Sequence, residues 1–305
     1  MRLVVAIGGN ASLRRGQTLS AVNQLDNIRR ATLQLARVSA GNELVVTHGN
    51  GPQVGLLALQ AAAYPDVESY PPDMLGAETD SMIGYLIEQE LSNALAGSRT
   101  VATLLTRVEV DRDDPAFKRP TKPIGPVYTQ REARRIATAR QWEIAADGTG
   151  FRRVVASPRP RRVLGLDPIR WLLQRGAVVI AAGGGMPVAT AADGRSLAGV
   201  DAVIDKDLCS GLLARGIEAD CLVIVTDVES VFLDWGTPGQ RALGKVTPQA
   251  LAEHAFAAGA MGPKVEAACE FVLATGKRAV IGSLDHIEAM LAGTAGTQVG
   301  LNPSD

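Results

Sequence analysis

The chain has 305 residues, with 31 Lys and Arg against 32 Asp and Glu, a formal net charge of −1 and 46% hydrophobic residues. That balance supports one large α/β domain or two lobes with a sizeable core. With 4% aromatic residues and no basic excess, it lacks the cationic face and stacking rings that a nucleic-acid partner demands.

The N-terminal run MRLVVAI is too short for a signal peptide and predicts a buried strand, Leu3–Ile7, ending at Gly8-Gly9-Asn10. A helix over about 19–38 follows, stopped by Gly41. The next strand, Leu44–Thr47, stops abruptly at His48-Gly49-Asn50-Gly51-Pro52, and an amphipathic pattern (Val54, Leu57, Leu59, Ala61) begins straight after it. A helix over 78–95 ends at Gly97, and the strand Val101–Leu105 comes next. Residues from about 109 to 165 differ in kind: DRDDPAFKRPTKPIGPVYTQREARR and GTGFRRVVASPRPRR are charged and rich in Pro and Arg. They predict a small protruding lid, with Lys122 on a proline-stiffened loop. The arginines of 152–162 fall on its solvated face, phosphate steering being the alternative.

Beyond the lid, the strand Val178–Ala182 ends at Gly183-Gly184-Gly185. The longest apolar stretch, 177–192, is broken by those glycines and by Pro187, so it suits a strand and turn rather than a membrane span. A helix over 206–214 stops at Gly216, the strands Leu222–Val225 and Ala279–Ile281 follow, and a helix over 263–275 stops at Gly276. Glycine is the usual residue at such helix ends. Apolar runs that are continuous rather than alternating indicate a parallel, doubly wound sheet covered on both faces. Cys209, Cys221 and Cys269 form no CxxC and no even disulfide set, and predict reduced packing thiols in a cytoplasmic protein.

Three strand ends carry glycine turns, and in a doubly wound sheet ligands bind there. Glycine lets backbone N–H groups approach an anion, and a following helix adds its positive dipole end. Each turn is also compatible with a purely structural role; three at equivalent places favour a polyanion such as phosphate. GNGPQVG is not the dinucleotide GxGxxG, because its last spacing is one residue too long. GQRALGKV, 239–246, nearly matches a Walker pattern but has Val246 where Ser or Thr should bind magnesium, and predicts a surface hairpin or loop.

Lys264, beside Pro263 in MGPKVEAA, opens a helix, where the dipole disfavours a cation by about 0.3–1 kcal/mol. Lys206 repeats the theme, flanked by Asp205 and Asp207, which are placed to orient the ammonium and to help hold a magnesium–phosphate complex. Both placements make sense if an anion faces them. Lys122 has no comparable argument of its own. His48 is read as a hydrogen-bonded turn residue in preference to a catalytic base.

VVAIGGNA (4–11), VVTHGNGPQVG (45–55), LGAETDSMIGYLI (75–87), PAFKRPTKPIGP (115–126), FRRVVASPRP (151–160), GVDAVIDKDL (199–208), VTDVESV (225–231) and MGPKVEAA (261–268) together resemble the carbamate kinases of the amino-acid-kinase superfamily, essentially end to end. THGNGPQVG and TKPIGP are the most family-specific. The resemblance implies one domain, an open αβα sandwich with a mostly parallel central sheet and a small protruding lid. Residues 1–108 would form an acceptor-side lobe, about 109–165 the lid, and about 166–305 a nucleotide-side lobe.

It also implies that Lys122, Lys206 and Lys264 act on the transferring phosphate, with Asp205 organising them. Gly8, Gly9, Asn10, Gly49, Asn50 and Gly51 would line the acceptor and phosphate side. Asp227, Met261, Gly262, Gly183 and Gly184 would serve the nucleotide. Magnesium would be held mainly by the phosphates of ATP or ADP, with Asp205 its candidate protein ligand, in a cytoplasmic homodimer. Carbamate is already an anion, so in-line attack giving carbamoyl phosphate needs no general base. Ser12, Phe151, Ala156 and Ala182 depart from the family pattern, and none of them removes a glycine or lysine with a role. The rival readings are a related kinase of another small acid, and a nucleotide-binding regulatory protein that has lost catalysis.

Overall fold

Runs of Val, Ile and Leu with no polar break must be covered on both faces, and that requirement builds the fold. A computed structural model describes residues 1–9, 13, 17–18, 20–61, 63, 70–257 and 261–302. The six predicted runs become the strands Arg2–Ile7, Glu43–His48, Val101–Leu104, Val178–Ala181, Cys221–Thr226 and Arg278–Ser283. They are mutually parallel in an eight-stranded sheet ordered 245–246, 297–299, 278–283, 221–226, 2–7, 43–48, 178–181, 101–104. Thr297–Val299 runs antiparallel to Arg278–Ser283, while Lys245–Val246 pairs parallel with Thr297–Val299.

Alternate side chains of each strand enter opposite cores. Leu3, Val5, Leu44, Val46, Val178, Ile180 and Val223 face one core; Val4, Val45, Val179, Leu222 and Ile224 face the other. Helices Ala21–Ser39, Pro72–Leu95 and Ile287–Leu291 cover the first with Ile28, Leu35, Ile83, Ile87 and Met290. Helices Leu166–Gln174, Lys206–Gly216 and Gly262–Thr275 cover the second with Leu173, Leu213 and Phe271. The result is the expected αβα sandwich. Cys209 and Cys221 are buried, Cys269 is half-buried, and all three are free thiols. No helix among the described residues is long and apolar enough to cross a membrane.

Local chemistry moved several boundaries. The helix predicted from 78 begins at Pro72, since proline is suited to a first turn, where its missing N–H costs nothing. Gly276, at φ 68°, caps its helix with a hydrogen bond to Val272 O as predicted. The helix predicted over 206–214 does end at Gly216, which is its last residue, with Ile217 as the cap; a Cβ on Gly216 would lie 2.9 Å from Leu166 Cδ1. Ala40, not Gly41, caps the first helix. The 239–246 segment is only partly a hairpin. Arg241–Ala242 pairs with Phe232–Leu233, whereas Lys245–Val246 joins the edge of the main sheet.

Between the third and fourth strands of the parallel set, the chain leaves the main sheet. Arg107–Val110 and Pro160–Val163 join Met186–Thr190 and Leu197–Gly199 in a four-stranded sheet. Residues 122–155 form a three-stranded antiparallel sheet, ordered 122–128, 150–155, 144–147, with helix Gln130–Arg140 beside it. A capping box between Thr129 and Glu132 starts that helix. Lys122 opens the edge strand Lys122–Tyr128 rather than sitting on a loop; Pro123 is tolerated because an edge strand need not donate every N–H. This strand lies against helix Gly51–Ala61 backbone to backbone. A Cβ on Gly55 would sit 1.9 Å from Gly125 Cα, and Gly125 itself has φ +73°.

Candidate active site

The carboxyl ends of the parallel strands open into a cleft of about 680 Å³. Gly8 and Gly9 follow the strand 2–7; Gly49, Asn50 and Gly51 follow 43–48; Gly183 follows 178–181; Asp227 follows 221–226. All of these line the cleft, with Lys122, Asp205, Lys206, Asp207, Arg152 and Lys264. Asn10 lies outside the described residues.

Two carboxylates hold the three lysines. Asp205 accepts a hydrogen bond from Lys122 Nζ, and its other oxygen caps helix Lys206–Gly216 by accepting from the N–H groups of Asp207 (2.9 Å) and Leu208 (3.3 Å). Asp207 accepts from Lys206 Nζ at 2.6 Å and from Lys264 Nζ at 2.9 Å. Both lysines thus stand in the first turn of a helix, where the dipole opposes a cation, with a buried carboxylate between them. The helices themselves come close at Gly211, where a Cβ would be 3.3 Å from Ala267 O. Lys206 Nζ also reaches Ala6 O at 3.4 Å, and Ser210 Oγ meets Thr47 Oγ1 at 2.6 Å, which ties the helix to two strand ends.

The electrostatics follow from burial and pairing. Burial works to raise the Asp207 carboxyl, but the ammonium groups of Lys206 and Lys264 outweigh it and hold it below the ordinary carboxylate range. Lys206 sits deeper than Lys264 (side chains 10% and 16% exposed), and burial pulls its pKa below the ordinary lysine value against the attraction of Asp207. For Lys264 burial acts the same way, but the attraction of Asp207 and its hydrogen bond prevail and the pKa rises. Three ammonium groups against two carboxylates leave the cluster one positive charge in excess. Such a site suits a phosphoryl group in transit.

A second, wider cleft of about 1380 Å³ adjoins the first and shares Lys122, Arg152, Thr226, Asp227 and Lys264 with it. Phe232 and Trp235, with ring centroids 5.2 Å apart, His254, Phe256 and Met261 give it an aromatic and apolar wall fit for a nucleobase. Of the residues assigned to the nucleotide, Asp227 and Met261 line this second cleft. Gly183 lines the first, packed on the end of strand 43–48, where a Cβ would lie 2.2 Å from His48 O. Gly262 lies outside both, its N–H donating to Ala257 O at 2.9 Å, and Gly184, at φ +105°, lines neither.

Two expectations are corrected here. His48 ends a strand rather than occupying a turn, and its buried Nδ1 has no hydrogen-bond partner among the described residues. Burial, then the charge of Lys206, lowers its pKa to about 4, so the ring is neutral near pH 7. The arginines of 152–162 are not one solvated face. Arg152 is half-buried on the wall of both clefts and pairs with Asp147 at 3.1 Å. Arg153 stacks over Trp142 at 4.2 Å, and Arg159 and Arg162 pair with Glu266 and Glu109, each at 2.7 Å.

Sequence reasoning gave Asp207 only a share in orienting Lys206. The signal for more was present in two carboxylates astride a lysine, but its reach to Lys264, 57 residues on, was not visible. Nothing local marked Arg152.

The amino acid kinase family model matches residues 1–283. A carbamate kinase of Haemophilus influenzae is 56% identical over 299 residues, covering 98% of this chain and 96% of that protein. One of Escherichia coli K12 is 52% identical over 300 residues, covering 98% and 99%. Among solved structures, carbamate kinase from Giardia lamblia bound to AMP-PNP superposes with a TM-score of 0.88 at 37% identity, over 98% of each chain. The same enzyme bound to citric acid gives a TM-score of 0.92 at 36% identity and the same coverage.

Proposed function

Because the chain belongs to the amino acid kinase family, and within it to the carbamate kinases, we propose that its two adjoining clefts divide one phosphoryl transfer between them. The reaction is reversible transfer between ATP and carbamate, giving ADP and carbamoyl phosphate. One observation carries the division of labour: Lys122, Lys206 and Lys264 converge on Asp205 and Asp207 where the clefts meet. The glycine-lined cleft takes the acceptor, the aromatic cleft takes the nucleotide, and the γ-phosphate passes across the lysines. On this reading 1–108 is the acceptor-side lobe, about 109–165 the lid that brings Lys122 and Arg152, and about 166–305 the nucleotide-side lobe.

Carbamate attacks in line as an anion and has no proton to lose at the attacking oxygen. The work left to the protein is positioning and charge neutralisation. The neutral, buried His48 supports this, since its Nδ1 is not paired with a carboxylate that would make it a base. Among the described residues no three His, Cys, Asp or Glu side chains converge, whereas Asp205 stands beside the lysines on the cleft wall. That donor set fits a magnesium ion that arrives on the nucleotide phosphates and neutralises their charge, with Asp205 its protein contact. Exposed Met82, Tyr85 and Leu105 beside the edge strand 101–104 support a homodimer, and three free thiols support the cytoplasm.

The deciding experiment is ATP formation from Mg-ADP and carbamoyl phosphate, with Lys206→Ala run alongside. Fast release by wild type and not by the variant is expected. Near-normal release by Lys206→Ala would sink the lysine assignment. Silence from both, with ATP still bound, would point to another acceptor or a sensor.

A further inference from the structure

Asn50 stands on the wall of the acceptor cleft, and its side chain is held from behind by helix Pro72–Leu95. Its amide nitrogen lies 2.8 Å from Asp80 Oδ1, 3.0 Å from Thr79 Oγ1 and 3.5 Å from Gly76 O. These partners settle which way the amide faces. Gly76 O can only accept, and the Thr79 hydroxyl proton is already engaged by Leu75 O (2.9 Å) and Gly76 O (3.0 Å), so Thr79 can only accept from Asn50. The nitrogen must therefore point into the helix. Asn50 Oδ1 is left on the cleft side and takes no hydrogen bond from the described residues.

A bare acceptor is out of place in a site built for oxyanions, since carboxylate and phosphate oxygens are acceptors too. It has a purpose if the bound molecule carries a donor. Carbamate and carbamoyl phosphate carry one, their amino group, whereas a carboxylate such as acetate has a methyl group in its place. We propose that Asp80 is a positioning residue which, with Thr79, clamps the Asn50 amide so that Asn50 Oδ1 accepts from the amino group of the substrate and selects it over isosteric carboxylates. The inference rests on the carbamate kinase reading and deepens it. Burial supports the arrangement by pushing the Asp80 carboxyl up to about 8, so that near neutrality it is mostly uncharged and adds little repulsion to an anionic site.

The test compares kcat/KM for ATP formation from carbamoyl phosphate and from acetyl phosphate, with Mg-ADP, in wild type, Asn50→Ala, Asp80→Ala and Asp80→Asn. Wild type prefers carbamoyl phosphate. Asn50→Ala and Asp80→Ala lose on the order of 10- to 100-fold of that preference, chiefly through carbamoyl phosphate, the scale for a polar group deprived of its partner. Asp80→Asn keeps the preference, because its amide oxygen accepts the same hydrogen bond. An unchanged preference in Asn50→Ala overturns the proposal, whether or not Asp80→Ala folds. Equal loss on both substrates overturns it as well, since a merely structural role or one on bound water would have that result. If Asp80→Asn loses the preference as fully as Asp80→Ala, the part given to Asp80 is wrong. A wild type inactive on carbamoyl phosphate fails the underlying kinase reading instead.

Discussion

Replacing Asp207 with Asn removes one negative charge and no volume from the centre of the lysine cluster. Its carboxylate is buried and pairs with Lys206 at 2.6 Å and Lys264 at 2.9 Å, so the variant takes from two largely buried ammonium groups the carboxylate they share and leaves them only the more distant attraction of Asp205. Breaking a buried ion pair from one side costs about 3–5 kcal/mol. Unfolding entropy of about 2.1 cal/mol/K per residue over this chain is roughly 0.64 kcal/mol/K, so the midpoint should fall by roughly 5–8 °C. The two lysines also lose the group that aims them, and kcat should drop about 10²- to 10³-fold. Thermal melts at pH 7 and a coupled ATP-formation assay read both effects. ADP should raise the midpoint of Asp207→Asn more than that of wild type, because its phosphates restore the missing negative charge. Asp207 has a depressed pKa, so its stabilisation is whole above the unfolded value near 4 and is lost as pH falls through the folded value. The difference between wild type and variant should therefore shrink in acid. A midpoint within about 1 °C of wild type at pH 7 would refute the reasoning, since a buried pair cannot be broken at so small a cost.

Lys122→Ala, Lys206→Ala and Lys264→Ala should each cut turnover by about 10²-fold or more with folding intact, as measured by steady-state ATP formation. His48→Asn should keep substantial activity; total loss in a folded variant would restore His48 as a base. Because the folded pKa of His48 is about 4 against 6.5 unfolded, the wild type should lose up to about 3 kcal/mol of stability as pH falls from 6.5 to 4, and denaturant melts of His48→Asn should be flatter across that window. Gly55→Ala places a methyl 1.9 Å from Gly125 Cα, which displaces the strand that begins at Lys122. Its kcat/KM should fall about 10²-fold, the cost of misplacing a reacting group by about 1 Å, and a wild-type rate would show that the lid does not need this contact.

The strands were legible because their signal is local: an unbroken run such as Leu44-Val45-Val46 can be satisfied only by burial on both faces, and neighbours in the chain suffice to show it. The glycine turns at 8–9, 49–51 and 183–185, and the awkward cations Lys206 and Lys264, were visible for the same reason, each being a conflict between a residue and its immediate backbone. Lys122 depended on the family resemblance, because its own surroundings pose no such conflict. What tertiary structure alone decided is the set of partnerships between distant segments. The reach of Asp207 to Lys264, the place of Arg152 on both clefts, the orphaned Nδ1 of His48 and the grip of Asp80 on Asn50 exist only once crossovers of the sheet bring strand ends and helix N-termini together. Periodicity tells a residue which face to bury, but it does not tell a buried charge which partner will be waiting there.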